Sequence, residues 1–300
     1  MKRNIFTFLA IVMSIACLCM LTGCPSPESP ADPVPAGRQK VTGKIGKYGT
    51  PYVVGDIVFT DGSATPVSDI MSRASNDPVT GTKMTEAERD ARVAYIFYVG
   101  TELNNPDATG DDDTTTERTL GVALEVISGH YGWTNSPGPG TSYNDEYGVN
   151  NIIEELICTR TGTTGDYEFS GRKNGTENFN VILAKTANET TPEKASDYDG
   201  FYYAPRVYSR SSSVPDEYKT GWYLPSIAEL YRIWKKKDDI NTVWSLSGIN
   251  HYYQMCVSSS QSAGAAKKAD LLNFISGEIK SDEKASCCYS ILAIREFPAE

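Results

Sequence analysis

The run Gly221-Trp222-Tyr223-Leu224-Pro225-Ser226-Ile227-Ala228-Glu229-Leu230 constrains this chain more than any other stretch. It reads as a short strand that turns into a helix. Gly221 to Leu224 is aromatic and apolar, and Pro225, which has no N–H to donate, belongs just outside a helix. Ser226 and Glu229 have the S-x-x-E spacing of a capping box. In that device the hydroxyl accepts a backbone N–H three residues on, and the carboxylate accepts the cap's own N–H. Ile227, Leu230, Tyr231 and Trp234 recur at helical spacing and make one apolar face. Lys235, Lys236 and Lys237 sit where the helix should end and suit its negative pole. Trp222, Pro225, Ser226 and Glu229 are therefore expected to serve structure rather than chemistry.

The beginning of the chain reads as an address. Lys2 and Arg3 precede an apolar run from Ile5 to Met20, too short and too early for a membrane-spanning helix. The run closes in Leu21-Thr22-Gly23-Cys24, small residues before a cysteine, as a lipoprotein signal peptidase requires. Residues 1–23 are thus expected to be a lipoprotein signal peptide, with Cys24 acylated and inserted in a lipid bilayer. Several acyl chains anchor stably where one alone does not. Pro25, Pro27, Pro30, Pro33 and Pro35 follow, which predicts an extended tether over residues 24–47. Residues 48–300 are expected to form one domain. The expected location is the cell envelope, on the outer membrane and exposed at the surface.

Charge narrows the partners. The formal net charge is -10, and loss of Lys2 and Arg3 with the leader would deepen it. Nucleic acid is excluded as a partner, because its affinity comes from Lys and Arg neutralising phosphates. Anionic sugars are disfavoured globally, although a local basic site would serve them. Four cysteines lie beyond Cys24: Cys158, Cys256, Cys287 and Cys288. An even number in an exported chain suggests disulfides, but Cys287 and Cys288 are adjacent. The preferred expectation is free, mostly buried thiols, with a bridge from Cys256 to one of the vicinal pair as the alternative. No metal-ligand spacing is present, and the only histidines are His130 and His251. Asp111-Asp112-Asp113 lack the alternation of a calcium loop and read as a solvated acidic loop.

Secondary-structure signals are mixed. Strands are expected at Tyr52–Phe59, Val93–Val99 and Leu120–Ile127, the last leading into a loop through His130 to Trp133. Thr85-x-x-Glu88 is a second capping box. A turn from Gly171 to Thr176 leads to a helix with Phe179, Ile182 and Leu183 on one face, and Phe201-Tyr202-Tyr203 reads as core. After the Trp234 helix come strand Leu271–Ile275, a charged turn Lys280–Lys284 and strand Cys287–Ile294. Helices and strands mix without a βαβ rhythm, so the expected class is α+β.

Three separated runs carry a family resemblance. Gly221–Leu230, Ser258-Ser259-Ser260-Gln261 and Ile294-Arg295-Glu296-Phe297 resemble a large group of treponemal (spirochaete) surface lipoproteins, and Val54–Gly62 matches that group's domain start. Tyr253-Gln254-Met255-Cys256-Val257 stands where that group has tryptophans. The C-terminal domain of the group is similar to the formylglycine-generating-enzyme branch of the C-type lectin fold, shared with variable proteins of diversity-generating retroelements. The resemblance implies a lectin-like domain with two main helices and a small antiparallel sheet, and a structural role for Arg295. It also implies ligand contact from the C-terminal strands and loops, roughly Tyr252 to Ser286. Tyr252, Tyr253, Gln254, Lys267, Lys268, Asn273 and Lys280 are the candidate ligand-binding residues, of types that suit an adaptable surface.

Three functions follow from the resemblance. The leading one is a lipid-anchored binding or adhesion module for an extracellular protein or glycan. A second is a copper-dependent oxidase of the formylglycine-generating type. Adjacent strand residues point to opposite faces, so Cys287 and Cys288 are not expected to hold one metal ion together, and that activity is not carried over. The third is a structural envelope lipoprotein without a specific ligand. The chain carries no Gly-rich phosphate loop, H-E-x-x-H or G-x-S-x-G, and neither a catalytic residue nor a cofactor is expected.

Overall fold

A computed structural model of the chain describes residues 38–74, 83–106, 115–125, 127–131, 133, 152–186, 199–247, 254–284 and 289–298. In chain order the strands are β1 (Asp56–Phe59), β2 (Ala64–Pro66), β3 (Arg92–Gly100), β4 (Arg118–Ala123), β5 (Ile127–Tyr131), β6 (Cys158–Thr163), β7 (Asp166–Gly171), β8 (Trp222–Tyr223), β9 (Met255–Gln261), β10 (Lys268–Asn273), β11 (Ile279–Glu283), β12 (Tyr289–Ile291) and β13 (Ile294–Phe297). The α-helices are α1 (Val67–Met71), α2 (Glu86–Ala91), α3 (Gly175–Thr186), α4 (Asp199–Tyr203), α5 (Ile227–Lys235) and α6 (Lys237–Leu246).

One sheet has the order β2-β1-β3-β4-β13-β8 and is antiparallel throughout. A second has the order β11-β10-β9-β12-β5, antiparallel except where β12 runs parallel to β9. Strands β6 and β7 form a separate hairpin. The α+β class holds. The sheets are larger than the small sheet expected, and three helices of nine or more residues are described rather than two.

The first sheet is buried on both faces, and its strands feed two different cores. In β3, Tyr95 and Phe97 enter one core while Ala94 and Ile96 enter the other. Neighbouring strands divide likewise: Ile57 and Phe59 against Val58, and Tyr223 against Trp222. A strand covered on both sides reads as a continuous apolar run, which is why Val93–Val99 shows little alternation. Helices α5 and α6 close the first core with Ile227, Leu230, Ile233, Ile240 and Val243.

Both capping boxes form. Thr85 Oγ1 accepts from Glu88 N at 3.2 Å, and Thr85 N donates to Glu88 Oε2 at 2.8 Å. Arg73 adds two bonds to the same carboxylate, each 2.8 Å. Thr85→Ala is expected to cost about 1 kcal/mol, read as a lower urea midpoint with unchanged slope.

Several local expectations change. Leu120–Ile127 is not one strand: β4 ends at Ala123 and β5 starts at Ile127. The segment through His130, expected to be a loop, is β5, because Tyr131 pairs with Tyr289. Lys280–Lys284, expected to be a charged turn, is mostly β11, an edge strand whose exposed side chains are polar because one face meets water. The strand expected at Leu271–Ile275 lies earlier, at Lys268–Asn273, because Asn273 instead caps a turn, accepting from Ile275 N and Ser276 N. Of Phe201-Tyr202-Tyr203 only Phe201 is buried, since on a short helix the three residues face different ways. Part of the expected tether is packed: Arg38 is ion-paired with buried Asp56, Lys40 bridges to Tyr48, and Gly46 N donates to Ser63 Oγ. Cys24, Asp111–Asp113, His251, Cys287 and Cys288 lie outside the described residues.

Candidate functional site

The three runs that carried the resemblance meet in space. Strand β13 pairs with β8, placing Ile294 opposite Tyr223 and Arg295 opposite Trp222. Ser259 N donates to Pro225 O at 2.7 Å, so β9 meets the turn between β8 and α5. Ser258, Ser259, Ser260 and Gln261 are fully buried.

This convergence satisfies the start of α5 group by group. The first N–H groups of a helix have no partner inside it. Here Ile227 N donates to Ser260 Oγ at 3.0 Å, Ala228 N faces the Cys158 thiol, Glu229 N donates to Ser226 Oγ at 3.1 Å, and Leu230 N donates to Ser226 O at 2.8 Å. The serine run is thus a structural partner for the helix, a role that only its distant position in the chain concealed.

Glu229 is the hub. Its Oε2 accepts from Ser226 N at 2.8 Å and from Gly175 N at 3.0 Å. Its Oε1 accepts from Arg118 Nη1 at 3.1 Å and from Tyr223 Oη at 3.2 Å. One carboxylate therefore joins α5, the start of α3, β4 and β8. Burial pushes the Glu229 carboxyl upward; Arg118 and the two backbone N–H groups oppose it. Burial and then Glu229 hold the Tyr223 phenol well above its usual value, so it stays a donor. Gly175 has to be small: a Cβ there would lie 2.5 Å from Glu229 Oε2.

Arg295 lies over the Tyr218 and Phe297 rings and donates to Glu217 O. Trp222 is buried and its Nε1 donates to Tyr218 O at 2.6 Å. Pro225 stands at the turn between β8 and α5, where its carbonyl accepts from Ser259 N.

The described candidate ligand residues do not all share one strand face. Tyr252 and Tyr253 lie outside the described residues. Gln254, Lys267, Lys268 and Lys280 are exposed and Asn273 is half-buried. Lys268 pairs with Glu283, whereas Lys280 pairs with Leu271 and sits 3.2 Å from Glu278. Strand alternation sends Lys268 to one face and Asn273 and Lys280 to the other.

A cleft of about 580 Å³ opens instead beside the organising stretch. Thr176 and Phe179 of α3, Phe201 and Tyr202 of α4, the following turn with Arg206, and Lys219 to Tyr223 form its walls. Its size falls within the roughly 300–1,000 Å³ range of small-molecule sites, and an apolar lining with a few polar groups is typical of them. Arg206 is held in place, its guanidinium 3.9 Å from the Tyr202 ring centre and its Nη1 2.6 Å from Tyr202 O. Phe201 is braced edge-on against Trp133 at 5.1 Å, and Trp222 leans on Tyr208 at 5.2 Å. Sequence reading gave Trp222 a structural role and passed over Arg206 and Lys219; the signal available was a cation a few residues from an aromatic run, which is common in any surface segment.

Cys158 and Cys256 are free and buried. Burial pushes the Cys158 thiol up to about 12 and Cys256 higher still. Neither forms a thiolate at neutral pH, so alkylating reagents are expected to modify them only after unfolding. Peptide mass spectrometry of native and denatured protein checks this site by site. Among the described residues no cluster of three or more His, Cys, Asp or Glu side chains is arranged to hold a metal ion. No described helix is long and apolar enough to cross a membrane.

No family model matches the chain, and no curated protein matches it. Among solved structures it is similar to a fimbrial protein from Bacteroides ovatus, at 15% identity and a TM-score of 0.47. The match covers 82% of this chain and 49% of that one, so the chain spans about half that protein's length. The class that the described residues define is an α+β domain of two mostly antiparallel sheets with a cleft at the junction of α3, α4 and β8.

Proposed function

We propose that this chain is a lipid-anchored cell-envelope protein that displays a ligand-binding domain at the surface of the outer membrane. The observation that carries the binding part is the cleft of about 580 Å³ beside β8, lined by half-buried Phe179 and Tyr202 and by exposed Arg206. The anchor is Cys24, acylated after removal of residues 1–23, with the proline-rich stretch as spacer. The finer fold is a lectin-like domain of the formylglycine-generating-enzyme type. It rests on the three converging sequence runs and implies no sugar binding by itself, since function lives in the site. The domain is read as a binder rather than an oxidase because Cys287 and Cys288 are adjacent, and neighbouring residues of a strand point to opposite faces.

Protease treatment of intact cells tests the display reading, with Cys24→Ala as the release control. Loss of the domain from whole cells supports outward display. Protection until the outer membrane is broken would transfer the protein to a periplasmic, structural role.

A further inference from the structure

We infer that Asn174-Gly175 is a deamidation site that the fold holds closed, and that the Glu229 carboxylate is the group that closes it. This is the only Asn-Gly pair in the chain. Asparagine is one of the thermally labile side chains. It is lost when the next backbone nitrogen gives its proton to solvent base and attacks the side-chain Cγ. The Cγ–Nδ2 bond breaks, ammonia leaves, and a five-membered imide remains. Water then opens the imide to aspartate or to isoaspartate. Glycine is the most permissive second residue, because it has no side chain to obstruct the ring and the greatest backbone freedom.

The fold needs both residues. Asn174 caps α3: its Oδ1 accepts from Thr176 N at 3.0 Å, and its carbonyl accepts from Asn178 N at 3.3 Å. Gly175 has no room for a side chain, since a Cβ there would lie 2.7 Å from Ser226 N and 2.8 Å from Leu224 O. Capping and packing together therefore select a chemically labile pair.

The same contacts oppose the reaction. Gly175 N donates to Glu229 Oε2 at 3.0 Å, so its proton points at the carboxylate. A carboxylate in that place disfavours the amide anion that must attack, because like charges repel. Asn174 N donates to Asn105 Oδ1 at 2.8 Å, which with the bond from Thr176 fixes the residue as a cap. Gly175 is buried, which keeps base and water away. Opening the junction of α3 and α5 removes these restraints together. Isoaspartate then adds a methylene to the main chain at the cap of α3, the helix that lends Thr176 and Phe179 to the cleft.

The experiment is incubation of the full-length protein at mildly alkaline pH in water enriched in heavy oxygen, followed by mass spectrometry of the peptide that holds Asn174. Native protein is expected to convert Asn174 about ten-fold or more slowly than denatured protein. Glu229→Gln is expected to speed the native reaction about three-fold or more over wild type held in enough denaturant to match the variant's unfolded fraction. A native rate equal to the denatured rate overturns the protection. A variant no faster than the stability-matched wild type overturns Glu229 as the closing group. If Glu229→Gln does not fold, hydrogen exchange of the Gly175 amide in wild type decides. Protection equal to that of amides inside α5 is expected, and exchange at the speed of exposed amides overturns the inference.

Discussion

Replacing Glu229 with alanine is expected to lower the unfolding free energy by about 3–5 kcal/mol. The loss is large because four donors converge on one fully buried carboxylate. Without it, the N–H groups of Ser226 and Gly175 are left buried at two helix starts, and Arg118 keeps only its bonds to Leu103 O and Tyr223 and its contact with half-exposed Glu296. Removing one partner of a buried charge pair strands the other, which costs far more than the pair itself contributes. Glu229→Gln is the sharper test. It keeps the shape, but turns one side of the group into a donor facing donors. The control is Glu88→Gln in the other capping box, whose Arg73 partner is a quarter exposed and can be solvated. Denaturant unfolding should show the Glu229 variant losing at least twice as much as the Glu88 variant. Equal losses would reduce Glu229 to an ordinary cap.

Lys284→Met should change the pH dependence of stability. Lys284 is fully buried, its Nζ 4.5 Å from the Trp133 ring centre, and burial lowers its pKa to about 7. In the unfolded chain a lysine titrates near 10.4. Between those values the unfolded state holds a proton that the folded state does not, so stability rises with pH across that window. Each pH unit there is worth about 1.4 kcal/mol. Methionine retains the length and apolar stem but binds no proton. The stability difference between wild type and variant is therefore expected to shift by about 3 kcal/mol from roughly pH 7.5 to 9.5, in favour of wild type at the higher pH. Taking the difference cancels every other titrating group. Parallel stability profiles would mean that Lys284 keeps its charge in the folded state.

Local devices were legible in the chain. The capping boxes at Thr85 and Ser226 involve residues three apart, so their geometry is set as soon as a helix starts. The β3 strand was legible for a related reason, since seven consecutive β-branched, aromatic or small apolar residues suit few other conformations. The edge strand β11 was not legible. Its Lys, Ser, Asp and Glu side chains carry a turn's composition, and only the continuous register with β10 makes it a strand. The exchange of a turn for a strand there also scattered the expected ligand residues, because alternation separates Lys268 from Lys280. The cleft was illegible for the same kind of reason. Thr176, Phe201, Arg206 and Trp222 come from three elements and a turn whose approach is decided by packing.

The sequence by itself determined where helices α2 and α5 begin, the α+β character of the chain, and its acidic balance, because each depends on neighbours or on sums. Tertiary structure alone decided that Gly175, Tyr223 and Arg118 meet at Glu229, that Ser260 caps the same helix, and that a cleft with two cations lies beside it. Tyr223 aside, those contacts join residues from 33 positions apart, as Ile227 and Ser260 are, to 111 apart, as Arg118 and Glu229 are. No local rule encodes such a distance; only burial of two cores against one shared sheet brings the partners together.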